Sequence, residues 1–133
     1  MLLHNDFYAI AASSQDEGTY NFTVHLNPVH HIFDGHFPGN PVTPGVVQME
    51  MVKELLSIAL DKKMNLESMG TCKFLAILNP NETPDVEVAI KTSLSEEGTT
   101  KVTASITSTT LSYPAAAPNP PTSFFKMNAT YLG

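Results

Sequence analysis

The stretch DGHFPGNPVTPGVVQMEM, residues 34–51, joins a proline-stiffened loop to the beginning of an apolar run. Prolines and glycines throughout residues 28–42 exclude regular helix and central strand, so an ordered loop is predicted there. Thr43 suits a helix N-cap, and Pro44 suits the first helical position, where its missing N–H costs nothing. Good helix formers continue to about Lys63, so one long helix is predicted.

The predicted helix is apolar over more than half of its circumference. A helical wheel places on this arc the side chains of Val47, Met49, Met51, Val52, Leu55, Leu56, Ile58, Ala59 and Leu60. Such a helix must be covered by other elements on most sides, which predicts a central position. The narrow polar stripe contains Glu50, Lys53, Glu54, Ser57 and Asp61, and solvated side chains are expected there by default.

Runs rich in β-branched and aromatic residues flank the helix and are typical of strands. They cover residues 7–13 and 19–27, joined by the hairpin turn SQDEG, and then residues 69–79, 85–95, 100–111 and 123–132. In the second run Tyr20, Phe22, Val24 and Leu26 are expected to face the core. Residues 113–122 are interpreted as a long hairpin loop. The order predicts a single α+β domain over residues 1–133, with a mostly antiparallel sheet of about six strands wrapped around the helix.

The composition excludes some classes of function. The chain has 13 acidic and 7 basic residues and a formal charge of −6, which gives no electrostatic footprint for nucleic acid. Neither a signal peptide nor a membrane span is supported, and the lone Cys72 cannot form an internal disulfide, so a cytoplasmic location is expected. Cys72 itself is interpreted as a small hydrophobe on a strand. Lys53, Lys62 and Lys63 form the only basic cluster that the sequence indicates.

Three groups around the loop and the helix start suggest acid–base chemistry. The neighbouring prolines fix the direction of His36, which is either a general base or the cap of a turn. Glu50 is either a surface carboxylate or, two turns into the helix, a group that lines one cleft with His36. Gly45 has no side chain and is expected to carry an N–H without an intrahelical partner, as an oxyanion site requires.

The other histidines are not predicted to form a functional site. His30, His31 and His36 lie within seven residues and raise the question of a metal site. No cysteine and no helical pair of histidines completes a ligand set, so metal binding is not predicted. His4 and His25 are interpreted as surface residues.

Residues 36–50 resemble the signature of the 3-hydroxyacyl-acyl-carrier-protein dehydratases of the FabZ and FabA type. The matching residues are His36, Phe37, Pro38, Gly39, Pro41, Val42, Pro44, Gly45, Val46 and Glu50. A glutamate at the acidic position resembles the FabZ branch, and KFLAILNP is a weaker echo of the strand after the family's helix. The resemblance implies a hotdog fold and a homodimer, or a higher oligomer, whose sheets pair edge to edge. It also implies that His36 of one protomer meets Glu50 of the other.

The same resemblance implies dehydration of 3-hydroxyacyl thioesters to trans-2-enoyl thioesters, in fatty acid or polyketide/polyene-type biosynthesis. His36 would remove the proton alpha to the thioester carbonyl, and Glu50 would protonate the departing hydroxyl. The Gly45 N–H would polarise the carbonyl, with Phe37 and Val46 in contact with the substrate. No metal or redox cofactor is implied, and the acyl group would be carried by acyl carrier protein or by coenzyme A.

Two other functions remain open. A hotdog thioesterase would use a carboxylate to activate water, and the His-Phe-Pro-Gly loop argues against it. A non-catalytic acyl-binding accessory subunit is suggested by Glu54, which stands where the dehydratases often have glutamine.

Overall fold

The computed structural model describes residues 3–30, 42–95, 97–108 and 122–133. Its elements are β1 (Tyr8–Asp16), β2 (Thr19–Leu26), α1 (Gly45–Leu60), β3 (Asn65–Phe74), β4 (Asp85–Leu94), β5 (Thr100–Ser108) and β6 (Ser123–Leu132). The strands form one sheet in the order β1, β2, β4, β5, β6, β3, and every neighbouring pair is antiparallel. The predicted α+β layout, a helix against a six-stranded antiparallel sheet, is confirmed.

The core lies between α1 and the inner face of the sheet. Met51, Val52, Leu55 and Leu56 of α1 are fully buried. The alternation predicted for β2 is confirmed, because Phe22, Val24 and Leu26 are buried and Tyr20 packs against them from a half-buried position. Burial of each such side chain contributes about 1.5–3 kcal/mol, so the helix is held mainly by its broad apolar arc.

The hairpin between β1 and β2 has a tighter turn than the sequence predicted. Only Glu17 and Gly18 lie between the strands, and their φ angles are +47° and +82°. A two-residue turn with positive φ at both positions matches the right-handed twist of the strands that it joins. The strands therefore extend into the SQDEG segment, and glycine supplies the second left-handed position without steric cost.

The helix begins and ends at other residues than predicted. Its N-cap is Pro44 and its first residue is Gly45, whereas Thr43 is buried before it. The Thr43 N–H donates to the carbonyl of Leu78 at 2.9 Å, and the Thr43 carbonyl accepts from the Gln48 side chain at 3.2 Å. These bonds hold Thr43 against the chain after β3, and no side chain caps the helix. At the other end the helix stops at Leu60, because Asp61 adopts a left-handed conformation.

The strand after the helix was placed incorrectly by the sequence pattern. The prediction was residues 69–79, whereas β3 covers Asn65–Phe74. The pairing of β3 with β6 shifts register between Leu66 and Ser68 and again between Met69 and Thr71. Two bulges remove the alternation on which the prediction depends. Beyond Phe74 the apolar run leaves the sheet, and Ile77 is 71% exposed.

Two predicted loops fall largely outside the described residues. Residues 31–41 of the proline-rich loop and residues 109–121 before β6 are not described. In the described part of the chain, no helix combines the length and the apolar character that crossing a membrane requires.

Replacing Asp61 by glycine is expected to raise the free energy of unfolding by about 0.5–1 kcal/mol, measured by urea denaturation. Asp61 has a φ of +53° at the C-terminus of α1, where both its Cβ and its negative charge are unfavourable. Asp61→Ala is the matched control, because it removes the charge but keeps the Cβ. If Asp61→Gly and Asp61→Ala are equally stable, the left-handed backbone at residue 61 does not destabilise a residue that carries a Cβ.

Candidate active site

Glu50 lies at a small cavity near the start of α1. The cavity has a volume of about 220 Å³ and is lined by Val46, Met49, Glu50, Lys53, Leu66 and Tyr131. Its walls are mostly apolar, and its polar groups are the half-buried carboxyl of Glu50, the Lys53 ammonium and the Tyr131 phenol. The structure therefore brings two predicted site residues, Glu50 and Val46, into one cavity, and it adds Tyr131, which sequence reasoning missed.

The N-terminus of α1 offers backbone donors close to this cavity. The N–H groups of Gly45 and Val46 form no hydrogen bond with any described residue, whereas those of Val47 and Gln48 both bond to the carbonyl of Pro44. Unpaired donors at the positive end of a helix dipole favour an oxygen that carries negative charge. Among the described residues the Gly45 N–H is therefore free to bind a ligand, and its role as an oxyanion donor stays a prediction.

The structure gives a packing reason for the glycine at position 45. A Cβ atom built on Gly45 would lie 2.5 Å from Cζ of the Phe74 ring, which covers this residue. Any side chain at position 45 would therefore displace Phe74 or shift the helix start. Phe74 belongs to β3, so the glycine allows β3 and the N-terminus of α1 to approach each other closely.

His36 and Phe37, the other two predicted site residues, lie outside the described residues. His30, which precedes them, is buried, and its Nε2 lies 3.0 Å from an Asp6 carboxylate oxygen. His31 is not described. His25 is exposed beside Asp85, as predicted, and His4 is half-buried. The described residues contain no group of three histidines, cysteines or carboxylates that could hold a metal ion.

Glu54, one turn after Glu50, is a buried structural residue and not the solvated carboxylate that was predicted. Its side chain is only 3% exposed. The carboxylate accepts hydrogen bonds at 3.0 Å from the backbone N–H groups of Leu3 and His4 and from the Tyr8 hydroxyl. A buried carboxylate is tolerated when such donors replace the water that it has lost. The helical wheel missed this because the donors come from about 50 residues earlier in the chain.

Residues 3–8, which we call the N-terminal turn, connect Glu54 to Asn27 and His30, which flank the start of the predicted loop. The Asn27 N–H donates to the Phe7 carbonyl at 2.7 Å, and the Asn27 side chain donates to the Asp6 carbonyl at 3.2 Å. The buried His30 pairs with Asp6 and meets the Phe7 ring edge to face. The turn thus ties the helix that carries Glu50 to the residues that lead toward His36 in the sequence.

Three groups near the helix have raised pKa values. Burial, followed by the charge of Glu54 and the hydrogen bond to it, raises the pKa of Tyr8 far above its usual value. Burial first and the Glu50 charge second raise the pKa of Tyr131 to about 12. Burial also raises the pKa of the partly buried Cys72 thiol on β3, which favours the neutral form and agrees with its interpretation as a small hydrophobe.

The lysines form two clusters, and the prediction of a single basic cluster was wrong. Lys53, Lys62 and Lys63 line a groove of about 740 Å³ along α1, but Glu50, Glu54 and Asp61 line the same groove. On the outer face of the sheet, a depression of about 400 Å³ is lined by Lys73, Lys91 and Lys126 without any carboxylate. These lysines are far apart in the sequence, and only strand pairing brings them together.

Replacing Glu54 by glutamine is expected to lower the free energy of unfolding by about 2–4 kcal/mol, because an amide N–H₂ would face donors in place of a carboxylate oxygen. Urea denaturation measures the loss. Glu50→Gln makes the same chemical change one turn earlier, at a half-buried position, and is expected to cost less than about 0.5 kcal/mol. Similar losses in the two variants would contradict the structural role of Glu54.

Comparisons with known proteins agree with the fold and the motif. A 3-hydroxyacyl-acyl-carrier-protein dehydratase FabZ from Levilactobacillus brevis is 32% identical over 95 residues, which are 66% of this chain and 62% of that enzyme. The chain thus spans about three-fifths of the length of this curated relative.

Solved structures share the architecture. The dehydratase heterocomplex ApeI:P from Xenorhabdus doucetiae matches with a TM-score of 0.62 and 17% identity, over 94% of this chain and 97% of that one. A mutant thioesterase from Pseudomonas aeruginosa matches with a TM-score of 0.52 and 10% identity, over 90% of this chain and 78% of that one. At such identities these matches show the hotdog fold alone. The ApeI-like family model, described as ApeI dehydratase, matches residues 12–110, and the chain therefore belongs to this family of dehydratases.

Proposed function

We propose that the protein is a dehydratase that converts 3-hydroxyacyl thioesters to trans-2-enoyl thioesters. The observation that carries the proposal is the position of Glu50, whose carboxyl borders an apolar-walled cavity close to two unpaired N–H groups at the start of α1. A proton donor, an oxyanion site and an apolar wall are the parts that this elimination requires. Membership in the ApeI-like family supports the same reaction.

The reaction needs one base and one acid. His36 removes the proton alpha to the thioester carbonyl, and the electron pair of that C–H bond forms the C2–C3 double bond. The bond from C3 to oxygen breaks, and Glu50 gives its proton to the departing oxygen, so that water leaves. His36 ends protonated and Glu50 ends ionised, and exchange with solvent restores both. Loss of water leaves the overall oxidation state of the substrate unchanged, so the step requires no redox cofactor.

The helix start and the cavity walls position the substrate. The Gly45 N–H donates to the thioester carbonyl and stabilises the negative charge that develops there when the alpha proton leaves. Val46, Met49 and Leu66 offer apolar contact to the acyl chain. Phe37 adds a further apolar contact from the loop that carries His36.

A homodimer would complete the site. In the sheet order β3 is an outer strand, so one of its edges has no partner among the described strands. Phe74, Leu75 and Ile77 are exposed at and beyond the end of β3, and Val46 at the start of α1 is 74% exposed. An unpaired edge flanked by apolar side chains suits pairing with a second copy. In this dimer His36 of one protomer meets Glu50 of the other.

Glu54 does not favour the alternative role of an accessory subunit. Its carboxylate is occupied by the N-terminal turn, so its presence in place of glutamine is explained by packing. The similar ApeI:P structure is a heterocomplex, which makes a non-identical partner chain at the β3 edge the alternative to a homodimer.

The substrate is an acyl thioester of coenzyme A or of an acyl carrier protein, in fatty acid or polyketide/polyene-type biosynthesis in the cytoplasm. Lys53, Lys62 and Lys63 supply positive charge for the phosphates of either carrier, although carboxylates share their groove.

Hydration of a 2-enoyl thioester, the reverse reaction, is the test of the proposed function. Wild type is expected to remove the ultraviolet absorbance of crotonyl and longer 2-enoyl thioesters, and both His36→Ala and Glu50→Gln are expected to lower kcat by about 10²-fold or more, because each removes one proton-transfer group. Coenzyme A and carrier-linked substrates are both offered.

Glu87→Gln makes the same chemical change as Glu50→Gln at an exposed position of β4, away from the cavity of Glu50, and is the matched control that is expected to keep wild-type activity. A wild-type protein that is folded but inactive on both kinds of thioester would contradict the dehydratase proposal. Activity that survives Glu50→Gln would contradict the role of Glu50.

Mixing the two inactive variants tests the shared site. If His36 and Glu50 come from different protomers, random pairing of His36→Ala chains with Glu50→Gln chains restores about a quarter of wild-type activity, because half of the dimers are mixed and each holds one intact site. The chains are unfolded together and refolded before the assay. No recovery, with dimers present, would show that each site uses a single chain or requires a different partner chain.

A further inference from the structure

Tyr131 is a buried residue whose hydroxyl the proposed reaction has not yet used. It lies near the end of β6, paired with Leu66 on β3 and with Thr100 on β5. The residue is only 2% exposed, yet it lines the cavity that Glu50 also lines. The strand pairing therefore fixes Tyr131 as a wall of the candidate active site.

Among the described residues, the Tyr131 hydroxyl has no hydrogen-bond partner of the kind that a buried tyrosine usually has. Tyr8, which is equally buried, donates to Glu54, whereas Tyr131 forms no hydrogen bond with a described residue. The buried polar side-chain atoms without a partner in the described part of the chain are the Thr43 hydroxyl and the Gln48 carbonyl oxygen. The Tyr131 hydroxyl is not among these sealed atoms, and the described space that Tyr131 lines is the cavity it shares with Glu50.

The Tyr131 hydroxyl is a hydrogen-bond donor near neutral pH. Burial, with a second contribution from the Glu50 charge, raises the pKa of Tyr131 to about 12, so the phenol stays protonated. It cannot act as a base near neutral pH, but it can donate to an oxygen atom that enters the cavity. The remaining polar groups of the cavity are the Glu50 carboxyl and the Lys53 ammonium, and its other walls are apolar.

We propose that the Tyr131 hydroxyl binds the 3-oxygen of the substrate beside Glu50, and so distinguishes 3-hydroxyacyl thioesters from saturated acyl thioesters. The inference rests on the proposed dehydratase function and assigns it a specificity residue. Tyr131 donates one hydrogen bond to the oxygen that Glu50 protonates, and it keeps this bond to the water that leaves. No proton passes from Tyr131, so the proton balance of the elimination is unchanged.

The role predicts opposite kinetic signatures in the two directions of the reaction. Bound 3-hydroxyacyl thioester already makes the hydrogen bond, so Tyr131→Phe raises KM for dehydration roughly three- to tenfold and leaves kcat nearly unchanged. The enoyl thioester has no 3-oxygen, so in hydration the same variant lowers kcat by a similar factor and leaves KM nearly unchanged. Both directions lose kcat/KM equally, as a fixed equilibrium constant requires.

Tyr20→Phe is the matched control. Tyr20 is a half-buried tyrosine on β2 that packs against the core, and it does not line the cavity of Glu50. Tyr20→Phe removes the same phenolic oxygen, and the kinetics of this variant are expected to equal those of wild type. The proposal is overturned if Tyr131→Phe also behaves as wild type, or if both KM and kcat change alike in the two directions together with a lower Tm.

Direct binding separates this inference from the proposed function. Isothermal titration with 3-hydroxybutyryl-coenzyme A and butyryl-coenzyme A compares affinities without turnover when both proteins carry Glu50→Gln, one with Tyr131 intact and one with Tyr131→Phe added. Preference for the 3-hydroxy compound that Tyr131→Phe removes supports the role of Tyr131, even if wild type shows no hydration activity and the dehydratase proposal fails. Equal affinity of the Glu50→Gln protein with Tyr131 intact for the two compounds overturns the role, whether or not wild type is active.

Discussion

A charged group in the middle of the only described helix constrains how the parts of this protein fit together. Glu54 is almost completely buried, so it requires donors from elsewhere in the chain, and the N-terminal turn supplies them. The same turn holds Asn27 and His30 through Asp6 and Phe7. Satisfying one carboxylate therefore fixes α1 relative to the first hairpin, and Glu50 is held in place by the same bonds one turn away.

The fold was largely predictable where the chain obeys a simple period. The strand β2 alternates without interruption, and β6 begins and ends where its apolar pattern does. The pattern failed at β3, where two bulges place consecutive residues on unexpected faces. It also failed by one residue at the helix start, because Thr43 is held by long-range bonds to Leu78 and Gln48 and not by the helix that it precedes.

The candidate site was predictable only as far as its residues lie close together in sequence. The motif identifies Gly45, Val46 and Glu50, and α1 carries all three in the structure. On a helical wheel Glu50 and Glu54 share one polar stripe, yet Glu50 is half-buried beside the cavity and Glu54 is almost fully buried, because the N-terminal turn bonds to Glu54. Tyr131 gave no signal, since a tyrosine in an alternating strand is typical of any core. Its importance depends on the pairing of β6 with β3.

The outer edge of β3 affects how unassembled chains are degraded or aggregate in a cell. Apolar side chains, Phe74 and Ile77 among them, lie at the edge of β3 that has no partner among the described strands, and surfaces of this kind are recognised by molecular chaperones and proteases. If the proposed pairing at this edge holds, unassembled chains would be removed or would aggregate, whereas assembled chains would be protected. The abundance of the protein would then follow the supply of its partner, and its thermal midpoint would rise with concentration.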